Sequence, residues 1–246
     1  MTCCSISTAR PTILPTIVEE VPMTIQFGLV GSDGVAIVGD TLHFDSSSAI
    51  RTTFKASKIR YNSRGTIAIA WAGDGNGLLV SKRIAQEMPD DCDIPQLRIE
   101  EIAEKTWDSL TYGGDSVLLI AMRTPEPRLF RLHLGKVGAS IHNVLDRVCS
   151  GDAPNIAAYF VERYYQRRPI EELAAIAAHS VLLAHKFNSG GIGGLEITLC
   201  RKSGFTSMPV SVVPDIEAEI QQFDRNLETT LLSCGKKFTY APDVIG

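Results

Sequence analysis

One stretch near the start of this 246-residue chain decides its fold: TIQFGLVGSDGVAIVGD, residues 24–40. Two runs rich in apolar and β-branched residues flank the pair Asp33-Gly34. Glycine accepts the positive φ that a tight turn requires, so an Asp-Gly pair between two such runs predicts a β-hairpin. The stretch therefore predicts two neighbouring antiparallel strands, the second of which ends at Asp40.

Downstream of this hairpin, groups of strands alternate with pairs of helices. Strands grouped around hairpin turns and helices grouped in pairs indicate an α+β sandwich, in which antiparallel sheets pack face to face under helix layers. The pattern predicts strands around 58–61 and at 66–71 joined by a turn at 62–65, helices at 78–87 and 97–110, strands at 116–121 and 128–132, helices at 154–166 and 170–185, and a strand at 195–200.

The last part of the chain predicts an amphipathic helix. Pro214-Asp215 is typical of a helix opening. Such a helix must bury its apolar stripe, either on its own domain or on a neighbouring subunit, and the sequence leaves both open. Apolar residues at spacings of three or four positions form this stripe: Ile216, Ile220, Phe223, Leu227 and Leu231.

The composition is that of an ordinary globular protein. A net charge of −4, with 21% charged and 44% hydrophobic residues, gives no electrostatic bias toward nucleic acid, so peptide-like or neutral partners fit better than phosphate polymers. No apolar run reaches the ~18 residues that a membrane helix needs, so we expect a soluble protein without membrane association.

The cysteines and histidines predict neither disulfides nor a metal site. The six cysteines show no C-x-x-C spacing, and residues 1–22 lack the basic segment of a secretion signal, which together favour reduced thiols and a cytoplasmic location. The five histidines have no carboxylate or cysteine at metal-ligand spacing. The glycine-rich loop at 188–194 follows a helix and precedes a strand, the reverse of a phosphate-binding loop. We expect no metal and no cofactor.

Five short motifs occur in the order and at the separations found in one protein family. They are the hairpin at 24–40, Ser57-Lys58-Ile59, Ala72-Gly73-Asp74, Cys149-Ser150-Gly151-Asp152 and the glycine-rich loop at 188–194. On these motifs the chain resembles the proteasome β-subunits, including the bacterial proteasome-like rings. The resemblance implies an N-terminal-nucleophile hydrolase fold, a four-layer αββα sandwich of two antiparallel sheets flanked by helix pairs. It divides the chain into a leader, propeptide or misassigned start at 1–23, a hydrolase domain at 24–210 and a C-terminal helix and tail at 211–246.

The resemblance also implies a catalytic role for particular residues. Thr24 would be the nucleophile, because an N-terminal threonine carries a hydroxyl and a basic amine on one residue. Lys58 would lie beside it as a cation, and Asp40 would orient that lysine. The backbone N–H of Gly73 would face the oxyanion, and Ser150 would hydrogen-bond near the Thr24 amine and a bound water.

Without the resemblance each of these residues has a plainer interpretation. Thr24 is then a β-branched strand residue, Asp40 a turn residue, Lys58 a solvated cation and Ser150 a cap near a helix. Lys55 is a rival to Lys58, but only Lys58 precedes the apolar residue and strand that the family shows. Cys149, next to Ser150, suggests a thiol nucleophile, although a lone cysteine before a helix is more often a small buried residue.

The residues next to Thr24 and in the glycine-rich loop depart from the family. Met23 stands where self-processing members have glycine, which favours translation from Met23 and removal of that methionine over autolysis of a 23-residue propeptide. Many active members carry an aspartate and then a serine that brace the catalytic threonine. Here the match to the aspartate is Asn188 or Lys186, and the match to the serine is Ser189 or Gly191. If residues 1–23 stayed attached, the Thr24 nitrogen would be a non-basic amide and the site would be inactive.

The resemblance predicts the specificity and the partners as well. Trp71 would occupy the floor of the pocket for the residue before the cleaved bond, where a bulky indole favours small side chains or blocks the pocket. The expected function is a threonine peptidase in a homo-oligomeric ring that acts on peptides or unfolded proteins, with an ATP-dependent unfoldase as a candidate partner. The alternatives are a catalytically inactive ring subunit and an N-terminal-nucleophile amidase acting on a small amide.

Overall fold

The computed structural model describes residues 24–45, 52–89, 92–110, 114–151, 157–208 and 212–238. Within these ranges the chain is a mixed α/β protein with antiparallel sheets and five helices. Residues 1–23, for which the sequence predicts a leader or propeptide, lie outside the described residues.

The predicted hairpin at 24–40 forms the centre of the first sheet. Its strands, β1 (Ile25–Val30) and β2 (Val35–Gly39), pair antiparallel, and the N–H of Gly31 donates to the carbonyl oxygen of Gly34 at 2.8 Å across the turn. Both strands are buried on both faces, as expected for strands covered from two sides. The sheet has the order β10 (Arg147–Gly151), β1, β2, β11 (Glu196–Arg201) and β12 (Gly204–Ser207), all antiparallel.

The second sheet is an antiparallel meander. It contains β5 (Ile59–Tyr61), β6 (Ile67–Gly73), β7 (Ser116–Met122), β8 (Arg128–Gly135) and β9 (Gly138–Val144), each paired with the next. A separate two-stranded sheet of β3 (Leu42–Asp45) and β4 (Thr52–Lys55) lies between the first hairpin and β5 along the chain. Five strands have no counterpart among the predicted elements, because they lack a continuous or alternating apolar pattern: β3, β4, β9, β10 and β12.

The helices agree with the predictions in existence but differ at their ends. They are α1 (Gly75–Glu87), α2 (Pro95–Asp108), α3 (Ala158–Tyr164), α4 (Ile170–Phe187) and α5 (Val213–Phe238). The first helix begins three residues before the predicted start at Leu78, because the Asp74 carboxylate accepts the Asn76 N–H at 2.7 Å and caps it. Residues 75–77 thus form the first turn of α1.

Three clusters of buried apolar residues form the core. The first joins β1, β2 and β11 to α3 and α4, and it includes Phe27 and Leu173. The second joins β6 to β9 with α1 and α2 and includes Ile69 and Ile84. The third contains residues of β2 and β11 together with residues of β5 to β8, among them Leu119, so it lies where the two sheets meet.

The amphipathic helix α5 divides its apolar stripe between two environments. Ile216 and Ile220 pack against the cluster of the first sheet. Phe223, Leu227 and Leu231 are 47%, 38% and 62% exposed in the chain alone. Phe223 also meets the His179 ring of α4 at 5.6 Å, so the stripe docks on its own domain along the first half of the helix and is most exposed at Leu231. Among the described helices none is long and apolar enough to span a membrane.

Removing Leu119 from the cluster between the sheets tests how much that contact stabilises the fold. Leu119 is completely buried, so Leu119→Ala should lower the free energy of unfolding by about 2–5 kcal/mol, through lost transfer energy and a residual cavity. The matched control is Leu97→Ala on α2, where the side chain is 56% exposed, and it should change stability by less than about 0.5 kcal/mol. Urea denaturation of both variants is the measurement, and equal losses would contradict the placement of Leu119.

Candidate active site

Three strand ends bring Thr24, Asp40 and Lys58 together. Thr24 directly precedes β1, Asp40 directly follows β2, and Lys58 directly precedes β5 of the second sheet. Because β1 and β2 are antiparallel, the start of one meets the end of the other, and the Asp40 N–H donates to the Ile25 carbonyl at 3.1 Å. Lys58 reaches the same point from the opposite sheet.

Asp40 is the most deeply buried charged group of the site. Its side chain is fully buried, and its carboxylate accepts the backbone N–H groups of Ile25 and Leu42, both at 3.1 Å. Lys58 Nζ donates to both carboxylate oxygens, at 3.0 and 2.9 Å. A buried carboxylate with four donor contacts is a rigid anchor.

Lys58 links that anchor to the threonine. Its Nζ, while paired with Asp40, also donates to Thr24 Oγ1 at 3.1 Å. Burial lowers the pKa of Lys58, and the charge of Asp40 opposes that change. Burial likewise raises the pKa of Asp40, and Lys58 and the two backbone donors oppose the rise. The arrangement can polarise the threonine hydroxyl and favour its loss of a proton.

Ser150 lies beside Thr24 on the neighbouring strand β10. It is paired with Gln26, and residues on facing positions of an antiparallel pair share one face of the sheet. Gln26 Nε2 donates to the Val117 carbonyl of the second sheet at 3.2 Å, so this face, which Thr24 shares by alternation, points toward the second sheet. The Ser150 hydroxyl is buried and has no hydrogen-bond partner among the described residues.

Gly151 explains how closely β10 approaches the threonine. A Cβ at this position would lie 1.7 Å from the Thr24 carbonyl oxygen, and the φ of Gly151 is +136°. Only glycine fits such a backbone and such a contact. The backbone of β10 at Gly151 therefore lies in direct contact with the backbone of Thr24.

Gly73 and Trp71 lie at the end of β6, next to the lysine segment. The Trp71 N–H donates to the Lys58 carbonyl at 3.3 Å, and Gly73 follows two residues later with a φ of +107°. A Cβ on Gly73 would lie 2.4 Å from the Asp115 carbonyl oxygen, so glycine is required there. The structure thus places Gly73 at the same end of the second sheet as Lys58.

An aromatic group adjoins the lysine, and Trp71 is its one member with a predicted role. The His43 ring stacks on Phe54 with 5.1 Å between centroids and meets the Trp71 indole at 5.4 Å. Burial and then the Lys58 charge lower the pKa of His43, which favours the neutral imidazole at pH 7. Because β3 and β4 were not predicted, no local signal connected His43 and Phe54 with the site.

Two further residues at the lysine segment, Glu196 and Ser57, carry no predicted role. Glu196, the first residue of β11, accepts the Lys58 N–H at 3.0 Å and lies 2.5 Å from Ser57 Oγ. Burial raises the pKa of Glu196. The two partners are 138 and 139 residues away in sequence, a separation that no periodicity or motif reports.

The residues proposed to brace the threonine have other contacts. The Asn188 side chain accepts the Gly191 N–H at 2.8 Å within the glycine-rich loop, and Lys186 pairs with Asp224 of α5 at 2.6 Å. The loop itself reaches the site through Gly193, whose carbonyl accepts the Thr41 N–H at 2.9 Å. The loop therefore supports the residue after Asp40.

Cys149 and metal chemistry find little support in the geometry. Cys149 pairs with Phe27, packs against the helix-side cluster, and burial raises the pKa of its thiol to about 12, so it is a poor nucleophile. In the part of the chain that the structure describes, no group of three or more His, Cys, Asp or Glu side chains could hold a metal ion. The catalytic roles of Thr24, Asp40, Lys58, Ser150 and Gly73 stay predictions.

Breaking the buried pair should destabilise the protein in a pH-dependent way. Lys58→Met leaves the Asp40 charge buried without its cation, which should cost about 3–5 kcal/mol at pH 7. Asp40 then has a folded-state pKa raised above its unfolded value, so protonation at lower pH favours the folded state and the loss should shrink toward pH 5. Urea denaturation at the two pH values is the measurement.

The double variant Asp40→Asn/Lys58→Met is the matched control for this prediction. It removes both charges, so most of the lost stability should return at pH 7. A loss of equal size at pH 5 and pH 7, or a double variant as unstable as Lys58→Met, would contradict the electrostatic explanation.

Comparison with known proteins identifies a structural likeness but no sequence family. No protein-family model matches the chain, and no curated protein matches its sequence. Among solved structures the fold is similar to an Anbu (Gly-1) mutant from Hyphomicrobium sp. strain MC1, with a TM-score of 0.62 over 84% of this chain and 97% of that chain, at 11% identity. Anbu is a bacterial proteasome-like protein of N-terminal-nucleophile hydrolase type. At this identity the likeness concerns the fold alone.

Proposed function

We propose that this protein is a threonine-type hydrolase that cleaves peptide bonds through an acyl-enzyme on Thr24, in a homo-oligomeric ring. One observation carries the proposal. A buried lysine, Lys58, contacts the Asp40 carboxylate at 2.9 Å and Thr24 Oγ1 at 3.1 Å, and that threonine opens the first strand. A solvated surface lysine and an ordinary strand threonine need no such arrangement.

The layer arrangement implied by the resemblance belongs to the same proposal. We infer a four-layer αββα sandwich, in which α3 and α4 cover the first sheet and α1 and α2 cover the second. The three apolar clusters support it, since one lies under each helix pair and one joins the two sheets. A threonine on the inner face of the first sheet would then open between the sheets.

The first chemical step requires Thr24 to be the first residue of the working chain. Its α-amine, with an unperturbed pKa near ~7.7–8.0, takes the hydroxyl proton as Oγ1 attacks the peptide carbonyl carbon. The tetrahedral intermediate collapses, the C–N bond breaks, and the amine leaving group takes the proton from the Thr24 ammonium. The result is an ester of Thr24 and a released peptide amine.

The second step returns the enzyme to its starting state. Water attacks the ester carbonyl, with the Thr24 amine again accepting a proton, and the C–O bond to Oγ1 breaks. Oγ1 recovers a proton and the carboxylic acid product leaves. No histidine or metal takes part in this scheme.

Lys58 and Asp40 act on the hydroxyl in both steps. The Lys58 cation stabilises negative charge that develops on Oγ1 and disfavours protonation of the nearby amine. Asp40 holds the lysine through two contacts and holds the backbone of residue 25 through a third. The pair therefore fixes both the cation and the start of the nucleophile strand.

Gly73 and Ser150 complete the proposed machinery. The Gly73 N–H would donate to the oxyanion, a contribution on the order of 10²–10³ in rate for one good donor. The buried Ser150 hydroxyl, without a partner among the described residues, is available for the Thr24 amine or a water between them. A buried hydroxyl left unpaired costs stability, which is consistent with a functional use.

The ring proposal finds support on α5. The exposed apolar residues of its stripe are Phe223, Leu227 and Leu231. Exposed apolar stripes on a helix commonly mark contacts between subunits. An ATP-dependent unfoldase as partner, and peptides or unfolded proteins as substrates, follow from the family analogy.

Exposure and replacement of Thr24 test the proposal. Intact mass and N-terminal sequencing of the protein, expressed from its native start region, should show a chain that begins at Thr24. Thr24→Ala should then lower peptide hydrolysis by at least about 10³-fold, because the hydroxyl nucleophile is lost while the terminal α-amine remains. Thr24→Ser, which keeps hydroxyl and amine, is the matched control and should retain measurable activity.

Two other outcomes of this experiment would support other functions. A chain that keeps residues 1–23 after assembly, and that no threonine-directed epoxyketone labels, would indicate an inactive ring subunit. A chain that begins at Thr24 and is labelled, but cleaves no member of a peptide library, would indicate an amidase acting on a small amide.

Trp71→Ala tests the proposed pocket. Trp71 is 9% exposed and borders the His43–Phe54 stack, so its removal should enlarge the pocket and extend cleavage toward large apolar residues before the scissile bond. The matched control is Trp107→Ala, which removes an equally buried indole of the same cluster whose N–H donates to the Gly135 carbonyl. Peptide-library profiling should show the change in Trp71→Ala alone, and an unchanged profile there would refute the pocket assignment.

A further inference from the structure

Glu196 is a second carboxylate at the buried lysine, and it contacts the backbone of Lys58 where Asp40 contacts the ammonium. It begins β11 and pairs in register with Gly39, the residue directly before Asp40. Two neighbouring positions of the first sheet therefore present acidic side chains to one lysine of the second sheet. Asp40 binds the ammonium end of that lysine, and Glu196 binds its backbone.

The contacts of Glu196 form a clamp on residues 57–59. One carboxylate oxygen accepts the Lys58 N–H at 3.0 Å, and the other lies 2.5 Å from Ser57 Oγ. Ser57 Oγ in turn accepts the Ile59 N–H at 3.1 Å. A carboxylate is a stronger acceptor than a carbonyl, so the serine proton is directed to Glu196 rather than to the Ile59 carbonyl 2.8 Å away.

The clamp acts at the point where the lysine segment passes between sheets. On one side the Lys58 N–H is held by Glu196 of the first sheet, and on the other the Lys58 carbonyl is held by the Trp71 N–H of the second sheet. Residues 56–58 themselves belong to no strand. Without Glu196 the backbone groups of Lys58 would keep only the hydrogen bond to Trp71, and the nearest other tie of the segment would be Ala56, whose N–H donates to the Thr41 carbonyl at 2.9 Å.

The position of that backbone decides where the side chain ends. A lysine side chain has four rotatable bonds, so in general an ammonium can reach one carboxylate from more than one backbone position. The additional contact with Thr24 Oγ1 at 3.1 Å restricts Lys58 to fewer of these backbone positions. A clamp that fixes the backbone N–H of the same residue supplies this restriction.

We propose that Glu196 is a positioning residue of the threonine hydrolase, holding residues 57–59 through Lys58 N and Ser57 Oγ so that Lys58 contacts Asp40 and Thr24 together. The inference rests on the proposed function for its catalytic meaning. The structural statement, that Glu196 determines the contact between Lys58 and Thr24, stands independently of it.

Crystal structures of the variants test the structural statement without any need for activity. In Glu196→Ala the distance from Lys58 Nζ to Thr24 Oγ1 should exceed about 4 Å, outside hydrogen-bond range. Glu196→Gln keeps an acceptor for the Lys58 N–H and should preserve the contact. The matched control is Glu104→Gln, an exposed carboxylate on α2. A preserved contact in Glu196→Ala would overturn the proposal.

Kinetics on the chain that begins at Thr24 test the catalytic meaning. Glu196→Ala should lower kcat by about tenfold or more with KM changed less than about twofold, since the substrate does not touch Glu196 in this scheme. Ser57→Ala, which removes half of the clamp, should give a smaller loss and serves if Glu196→Ala does not fold. A kcat within about twofold of the unsubstituted protein in both variants would also overturn the proposal.

The pH profile separates positioning from a purely structural role. The charged groups that influence Lys58 are Asp40 and Glu196, and the nearby His43 is influenced by Lys58, Asp40 and Arg60. Removing one negative charge in Glu196→Gln weakens the cation, so the alkaline limb of kcat/KM should move to lower pH by about half a unit or more, while Glu104→Gln leaves it unchanged. An unmoved limb in Glu196→Gln would refute the electrostatic part of the positioning role.

The two proposals fail in different ways. If the chain beginning at Thr24 hydrolyses nothing and Glu196→Ala still loses the contact, the peptidase proposal falls and the positioning of Lys58 stands. If hydrolysis depends on Thr24 and Glu196→Ala keeps both the contact and kcat, the role of Glu196 falls and the peptidase proposal stands.

Discussion

The buried carboxylate of Asp40 is the constraint on which the site depends. A carboxylate that is removed from water must be surrounded by donors or a cation, and here the donors come from three separate segments. They are the backbone N–H groups of Ile25 and Leu42 and the ammonium of Lys58. Satisfying one charge therefore ties the start of β1, the beginning of the β3 segment and the edge of the second sheet to one point.

Thr24 occupies the place that this constraint creates. Because the N–H of the next residue is bound by Asp40, the threonine is held at the start of its strand while its hydroxyl meets the lysine. Gly151 presses on its carbonyl from the neighbouring strand, and Gln26 ties the same strand to the second sheet. The hydroxyl is thus positioned by backbone contacts, a more rigid support than a loop provides.

Local patterns predicted most of the regular structure. The strands that were not predicted lack the apolar pattern of a buried strand. The hairpin at 24–40, the buried strands β6, β7 and β8, and the helices α1, α2 and α4 have strong apolar periodicity. Strand β4 is exposed along its whole length and β12 is half exposed, so neither carries the pattern of a buried strand. They form strands because a partner strand supplies their hydrogen bonds, and the residues of the strand itself do not show that pairing.

Local sequence patterns account for the short-range features of this protein. They place most strands, helices and turns, and they put Thr24, Asp40 and Lys58 at strand ends. The partners of those residues depend on how the sheets pack. Glu196 reaches Lys58 across 138 positions, and the His43–Phe54 stack reaches Trp71, only because of the order and facing of the sheets. Periodicity reflects burial within one element, whereas such contacts depend on how separate elements pack, and no local pattern encodes that packing.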